Sequence, residues 1–173
     1  MNTTSIDTIL KQYDFNLAYA KRLVDDLSEE KMTITPATGL VNHPSWTLGH
    51  LASASALLTE DLGGQIEFPK EWSELFLRKG PGDPTLPDPD TSKYPSKKDL
   101  LDELHRQHEK VKQLVSQQTD DELKKTVHWK FSDHMPALFD VVVFFCVNHE
   151  AMHLGQLAAW RRAMELHSVL SDL

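Results

Sequence analysis

Toward its end the chain reads CVNHEAMHLGQLAAW, in which His149, Glu150 and His153 form the pattern H-E-x-x-H. Two histidines four residues apart on a helix project from consecutive turns, about 40° apart, so both imidazoles can address one divalent ion. In zinc proteases with this pattern the glutamate polarises a metal-bound water and a third ligand arrives from downstream. The extended protease motif needs glycine and histidine three and six positions after the second histidine, where this chain has Gln156 and Ala159. Glu165 is the only acidic residue downstream before Asp172, and it falls on the same helical stretch. The third ligand is therefore sought upstream.

His50 meets that requirement. Trp46, Ser53, Ala54 and Leu57 stand at helical spacing from it, which puts it on an inward stripe; Val142, Phe145, Cys146, Gln156 and Trp160 share the face of His149 and His153 by the same arithmetic. Imidazoles on a core-facing stripe are costly unless satisfied, by about 1–3 kcal/mol each. Metal ligation is one way to satisfy them, and a hydrogen bond to a neighbouring core group is the other. His43, His105, His108, His128, His134 and His167 fall on loops or mixed faces and are read as mostly solvated.

The elements that must position these residues follow from periodicity. Ile6, Ile9, Leu10, Tyr13, Leu17, Ala20, Val24 and Leu27 mark an N-terminal amphipathic helix, and SWTLGHLASASALLTEDLGG marks a second, begun near His43 or Ser45 and ended by Gly63 and Gly64. A proline-rich crossover, roughly residues 65–95, holds one briefly helical piece, EWSELFLR. Ser96 opens a third helix through Leu100, Leu101, Leu104, Val111 and Leu114, with TDDELKK adding a turn or two. From Met135 to Glu165 only Pro136 and Gly155 interrupt, which predicts one long terminal helix. The expected fold is all-α, a single-domain four-helix bundle over residues 1–173, an architecture that builds metal sites from facing side chains.

Composition narrows the function. Acidic residues outnumber basic ones by 26 to 18, a net charge of −8 that disfavours nucleic acid and anionic membrane as partners. The lone Cys146 excludes an intrachain disulfide and a multi-thiolate zinc cage, so a metal site has to use histidine and carboxylate. The start, MNTTSIDTILKQYDF, lacks the basic and apolar regions of a secretory signal, and no apolar run is expected to approach the roughly 20 residues of a bilayer span; the expected compartment is the cytoplasm.

The motifs HPSWTLGHLASA (His43 to Ala54) and NHEAMHLGQLAAWRR (Asn148 to Arg162) resemble those of the DinB-like superfamily, the DinB/YfiT-like metalloenzymes. The second matches that family's H-x-x-x-H-x-G-Q pattern in full and the first its W-x-x-x-H helix; with the N-terminal helix and the crossover, the resemblance spans essentially the whole chain. It implies an up-down-down-up four-helix bundle in which His50, His149 and His153 bind a divalent metal, zinc or nickel first and iron next. It also implies the activities known in the family: S-transferases using a low-molecular-weight thiol, a maleylpyruvate isomerase, and proteins named only as hydrolases or as DNA-damage-inducible.

Gly155 within the last helix implies close approach of a neighbour, since glycine costs about 1 kcal/mol there relative to alanine. Gln156, three residues after His153, is read as a partner that orients an imidazole or else as a bundle-core hydrogen bond. Glu150 projects about 60° from His153, within reach of a general-base role or at the edge of the face. Cys146 reads as inert packing rather than a nucleophile, and Trp46, Phe145 and Trp160 as pocket walls or plain core. The expected function is a metal-dependent enzyme acting on a small molecule, a thiol-dependent S-transferase or a hydrolase. The competing class is a non-enzymatic metal-binding or stress-response protein with a structural metal, a homodimer through exposed faces, and the protease is the third reading.

Overall fold

The structure, a computed structural model, describes residues 3–37, 39–80 and 82–173. It is all-α apart from one isolated bridge between Thr126 and Ala137 among the described residues. Helix α1 (Thr3–Val24) leads to α2 (Pro44–Asp61), the short α3 (Lys70–Phe76) lies in the crossover, and α4 (Lys97–Gln117) is followed by the single turn α5 (Asp120–Leu123). The C-terminal helix, Leu138–Ala163, is continuous but not uniform. It begins as α6 (Leu138–Val143), loosens into a π-helical turn at Phe144–His149, and resumes as α7 (Glu150–Ala163).

Local chemistry sets these boundaries. His43 caps α2 by accepting the Trp46 backbone N–H on Nδ1 at 3.2 Å, Pro44 fills the first turn, and Gly63 at φ 82° turns the chain away after Asp61. Ser96 caps α4 by accepting from the Asp99 N–H, and Thr119 and Glu122 form a reciprocal capping box on α5. The terminal helix starts two residues after Pro136, with the Asp140 carboxylate accepting from the Ala137 N–H at 2.9 Å.

Helix α1 packs against α4 and the C-terminal helix, and α2 packs against the same two. Two apolar clusters result. Leu17, Leu23, Trp46, Leu51, Leu104, Leu157 and Trp160 belong to one, and Ile9, Leu58, Val111, Val115, Val141 and Val142 to the other. A buried polar group ties the four helices together: Tyr13 Oη lies 2.8 Å from Ser55 Oγ, its ring stacks on His108 at 3.7 Å, and His108 Nε2 lies 2.7 Å from Glu150 Oε1. Asn16 of α1 donates to the Cys146 carbonyl, the kind of carbonyl that a π-turn leaves available.

The C-terminal helix is long and apolar enough to cross a bilayer by length and composition, which amends the sequence expectation. Its Val141, Val142, Cys146, Leu154, Leu157 and Trp160 are buried against the other helices, as a core helix requires. Arg161 fastens it to α1: the guanidinium is 2% exposed, binds both Asp26 oxygens at 2.6 and 2.9 Å, and donates to the Leu23 and His167 carbonyls. Gly155, expected at a close approach, is exposed, and a Cβ at that position would have nothing within 4 Å of it, whereas neighbours crowd Gly49, against Phe76, and Gly64, against Leu114. Leu57, placed on the inward stripe by spacing, is 37% exposed.

The α2 cap carries a pH dependence. Burial pulls the His43 imidazole down to about 4, and a hydrogen bond to the Met32 backbone only partly opposes it. The cap needs the unprotonated Nδ1 lone pair. Because the folded value lies below that of the unfolded chain, this contribution is complete above about pH 6.5 and is lost as pH falls toward 4. His43→Asn keeps a capping acceptor without titrating, so its urea midpoint should fall less steeply than the parent's between pH 7 and pH 4.5. Parallel curves would show that His43 is not the titrating cap.

Candidate metal centre

Three imidazoles converge where α2 faces the C-terminal helix. One nitrogen from each of His50, His149 and His153 lies within 4.8 Å of the others, and no carboxylate or thiol belongs to the group among the described residues. Ring centroids are 5.2 Å apart for His50 and His149, 4.8 Å for His50 and His153, and 4.6 Å for His149 and His153. Such a cluster is of the size that one ion with metal–nitrogen bonds of about 2.0–2.1 Å gathers in.

His50 is held from two sides. Trp46, one turn earlier, stacks on it at 4.7 Å with ring planes 9° apart, and Nδ1 lies 3.0 Å from the Phe76 carbonyl oxygen. A carbonyl can only accept, so Nδ1 carries the proton and Nε2 presents its lone pair, the tautomer that a metal-ligating histidine adopts. Phe76 reaches this place because α3 packs on α2 at Gly49: a Cβ there would lie inside the van der Waals envelope of the Phe76 ring.

His149 is the last residue of the π-turn, and His153 lies one α-helical turn on. The widened turn re-registers the residues before it. Phe144 and Phe145 both approach His149, at 6.0 and 5.5 Å between centroids, while Cys146 is fully buried beside α1. The arithmetic of an ideal α-helix, which put Cys146 and Phe145 on the histidine face alike, fails here for that reason. Burial holds the Cys146 thiol well above its ordinary range, with Glu150 nearby adding to the effect, so the thiol stays protonated and inert.

Electrostatics favour neutral ligands. Burial depresses His149 and His153 to about 3, assisted by the neighbouring imidazoles, and it lowers His50 as well, against the Phe76 hydrogen bond and with the charge of Arg78. All three are unprotonated at neutral pH and offer lone pairs without proton competition. The buried Nδ1 atoms of His149 and His153 have no hydrogen-bond partner among the described residues. A bound cation would answer the cluster's need for an electron-pair acceptor, so the residues fit a divalent transition metal.

Two sequence-selected residues lie elsewhere. Glu150 points into the bundle, 2% exposed, with Oε1 on His108. Burial raises its carboxyl well above the ordinary range and pulls His108 down to about 3, which leaves the shared proton on the carboxyl. His108, read as solvated, is thus a fully buried partner of Glu150, and His43 is a buried cap. Gln156 is exposed, and its Oε1 accepts from Asn42 Nδ2 at 3.0 Å rather than touching an imidazole. Trp160 lies in the core and donates to the Ile34 carbonyl, while Trp46 and Phe145 flank the histidines.

Phe76 and Arg78 escape a reading by spacing because both belong to the crossover. Their only sequence signal is the short helical pattern EWSELFLR. Gly49→Ala should displace Phe76, destabilise the fold by about 1–3 kcal/mol through overpacking, and weaken metal affinity about 10-fold or more by loosening the His50 hydrogen bond. Urea unfolding and metal titration check both; an unchanged affinity would show that Phe76 does not orient His50.

A crystal structure described as that of the conserved protein of locus from Enterococcus faecalis resembles this chain with a TM-score of 0.71, at 18% identity, over 94% of this chain and 97% of that one. That likeness carries the fold. No curated protein matches the chain. The family model of the DinB superfamily matches residues 12–157, which takes in α2 with His50 and the C-terminal helix with His149 and His153; the chain belongs to the DinB superfamily.

Proposed function

We propose that this protein is a metal-dependent enzyme acting on a small molecule, with His50, His149 and His153 holding a zinc or nickel ion, and that it transfers a small thiol to an electrophile. The observation that carries this reading is a cluster of three neutral imidazoles with no carboxylate among them. When bound there, the ion would keep its full positive charge and an exchangeable position, and it would acidify a thiol outright or a water to about pKa 7.

The chain's own residues do the rest. The Phe76 carbonyl fixes the His50 tautomer, and Trp46 fixes its ring plane. Phe144 and Phe145 form an apolar wall beside His149 that keeps water away from an entering sulfur. In the overall change the S–H bond and the carbon–leaving-group bond break and a carbon–sulfur bond forms; the proton passes to solvent, and the leaving group departs with its electron pair.

Hydrolysis is the second chemistry open to the same ligand set. The placement of Glu150 weighs against it, because this carboxyl group, next to His149 in the chain, is buried against His108 and is not free to act as a base toward water. The H-E-x-x-H protease reading loses its glutamate in the same way. A purely structural metal differs from either in having no exchangeable position.

Cobalt(II) substitution separates an open site that accepts a thiol from a closed structural one. Titrating the cobalt-loaded protein with 2-mercaptoethanol should produce a sulfur-to-cobalt charge-transfer band in the near ultraviolet, absent from His50→Ala. A spectrum indifferent to thiol would place the metal in a closed structural site and end the transferase reading.

A further inference from the structure

The crossover brings one cation to the histidine cluster. Arg78 follows α3 directly, and its guanidinium carbon lies 5.0 Å from the centroid of the Trp46 ring that stacks on His50. Nη1 donates to the Leu75 and Leu77 carbonyls, at 3.2 and 2.9 Å, which anchors the side chain at the end of α3. Nη2 is buried and has no acceptor among the described residues. The indole Nε1 of Trp46 is likewise a buried donor without an acceptor.

Both unsatisfied groups can only donate, so what they lack is an acceptor. None of the described residues supplies one. With 26 acidic residues it offers many candidates, yet Arg78 forms no ion pair among the described residues. Asp83, the closest in influence, directs its carboxylate to the Lys79 and Thr85 backbone N–H groups and the Thr85 hydroxyl. An arginine held beside neutral imidazoles and aromatic faces, without a carboxylate partner, has the composition of an oxyanion subsite.

From this we infer that Arg78, with the Trp46 indole N–H, binds a carboxylate on the small molecule that the histidine site receives. Arg78 is then a specificity-determining residue: it selects acidic thiols over neutral ones of the same size. The inference rests on the proposed metal site for the position of the sulfur, and on Arg78 and Trp46 alone for the carboxylate. A dication on neutral ligands together with Arg78 gives the site a positive field inside an otherwise acidic protein, which favours an anionic ligand.

Mercaptoacetate and 2-mercaptoethanol make the test, since they differ mainly by a carboxylate in place of a hydroxymethyl group. In 15N-labelled, metal-free protein, millimolar mercaptoacetate should shift the Trp46 indole N–H cross-peak, and 2-mercaptoethanol should not. In cobalt-loaded protein the acid should bind at least 10-fold more tightly than the alcohol. Arg78→Met should abolish the indole shift and lower the acid-over-alcohol preference at least severalfold, whereas general damage to the site would weaken both thiols alike and leave their ratio unchanged. Arg78→Lys, which keeps the charge but not the planar donors, should retain part of the preference. Mercaptoacetate also chelates cobalt through sulfur and carboxylate, so the reading lies in the part of the preference that depends on Arg78: an unmoved Trp46 signal, or a preference as large in Arg78→Met as in the parent, would overturn the assignment. Failure of the metal reading would show separately, as loss of the cobalt band with both thiols, and the indole shift would then decide on Arg78 by itself.

Discussion

The C-terminal helix turns Glu150 into the bundle interior and His149 and His153 to a half-buried position against α2, and each of these polar groups has to be satisfied there. Much of the molecule is arranged around that requirement. Glu150 is answered by His108 from α4, with Tyr13 of α1 stacked on the imidazole and Ser55 of α2 holding the tyrosine hydroxyl. One buried polar chain therefore joins all four long helices, with Tyr13 belonging also to one of the two apolar clusters. Breaking such a network costs more than an apolar core residue would, so it specifies one register of the helices against each other.

His149 and His153 are answered differently. Their neighbours are His50 and aromatic rings, none of which satisfies the Nδ1 atoms. Adjacent positions of a helix point about 100° apart, so His149 faces α2 while Glu150 points toward α1 and α4. One step along the helix thus separates a hydrogen-bonded structural group from the histidine cluster, and the π-turn sets which aromatic residues before His149 reach that cluster. π-turns of this kind occur often at functional sites because they re-aim side chains within a helix.

Helix positions, the crossover and the histidine trio were legible in the sequence because they depend on local signals. Apolar spacing placed α1 and α4, His43 and the Gly63–Gly64 pair bounded α2, and the i, i+4 pair with His50 named the cluster. The roles of Glu150, Gln156 and Cys146 were not legible. Cys146 depends on the π-turn, which no side-chain pattern announces, Glu150 on a long-range partner, His108 of α4, and Gln156 on Asn42 in a connection of irregular structure. Phe76 and Arg78 depend on how α3 folds back onto Gly49, a long-range contact that periodicity cannot reach. Gly155 is the converse case: a glycine that spacing marked as crowded and the fold leaves open.

The central claim is that three neutral imidazoles from two helices hold one divalent transition-metal ion. Elemental analysis of untagged protein, beside a His149→Ala/His153→Ala variant shown by circular dichroism to stay helical, tests it most directly. The parent should carry about one equivalent of zinc, nickel or iron, or take up one on incubation with zinc or nickel, and the variant should carry none. A parent that binds no metal under any of these conditions, or a variant that keeps a full equivalent, would contradict the claim and make these histidines part of the core alone.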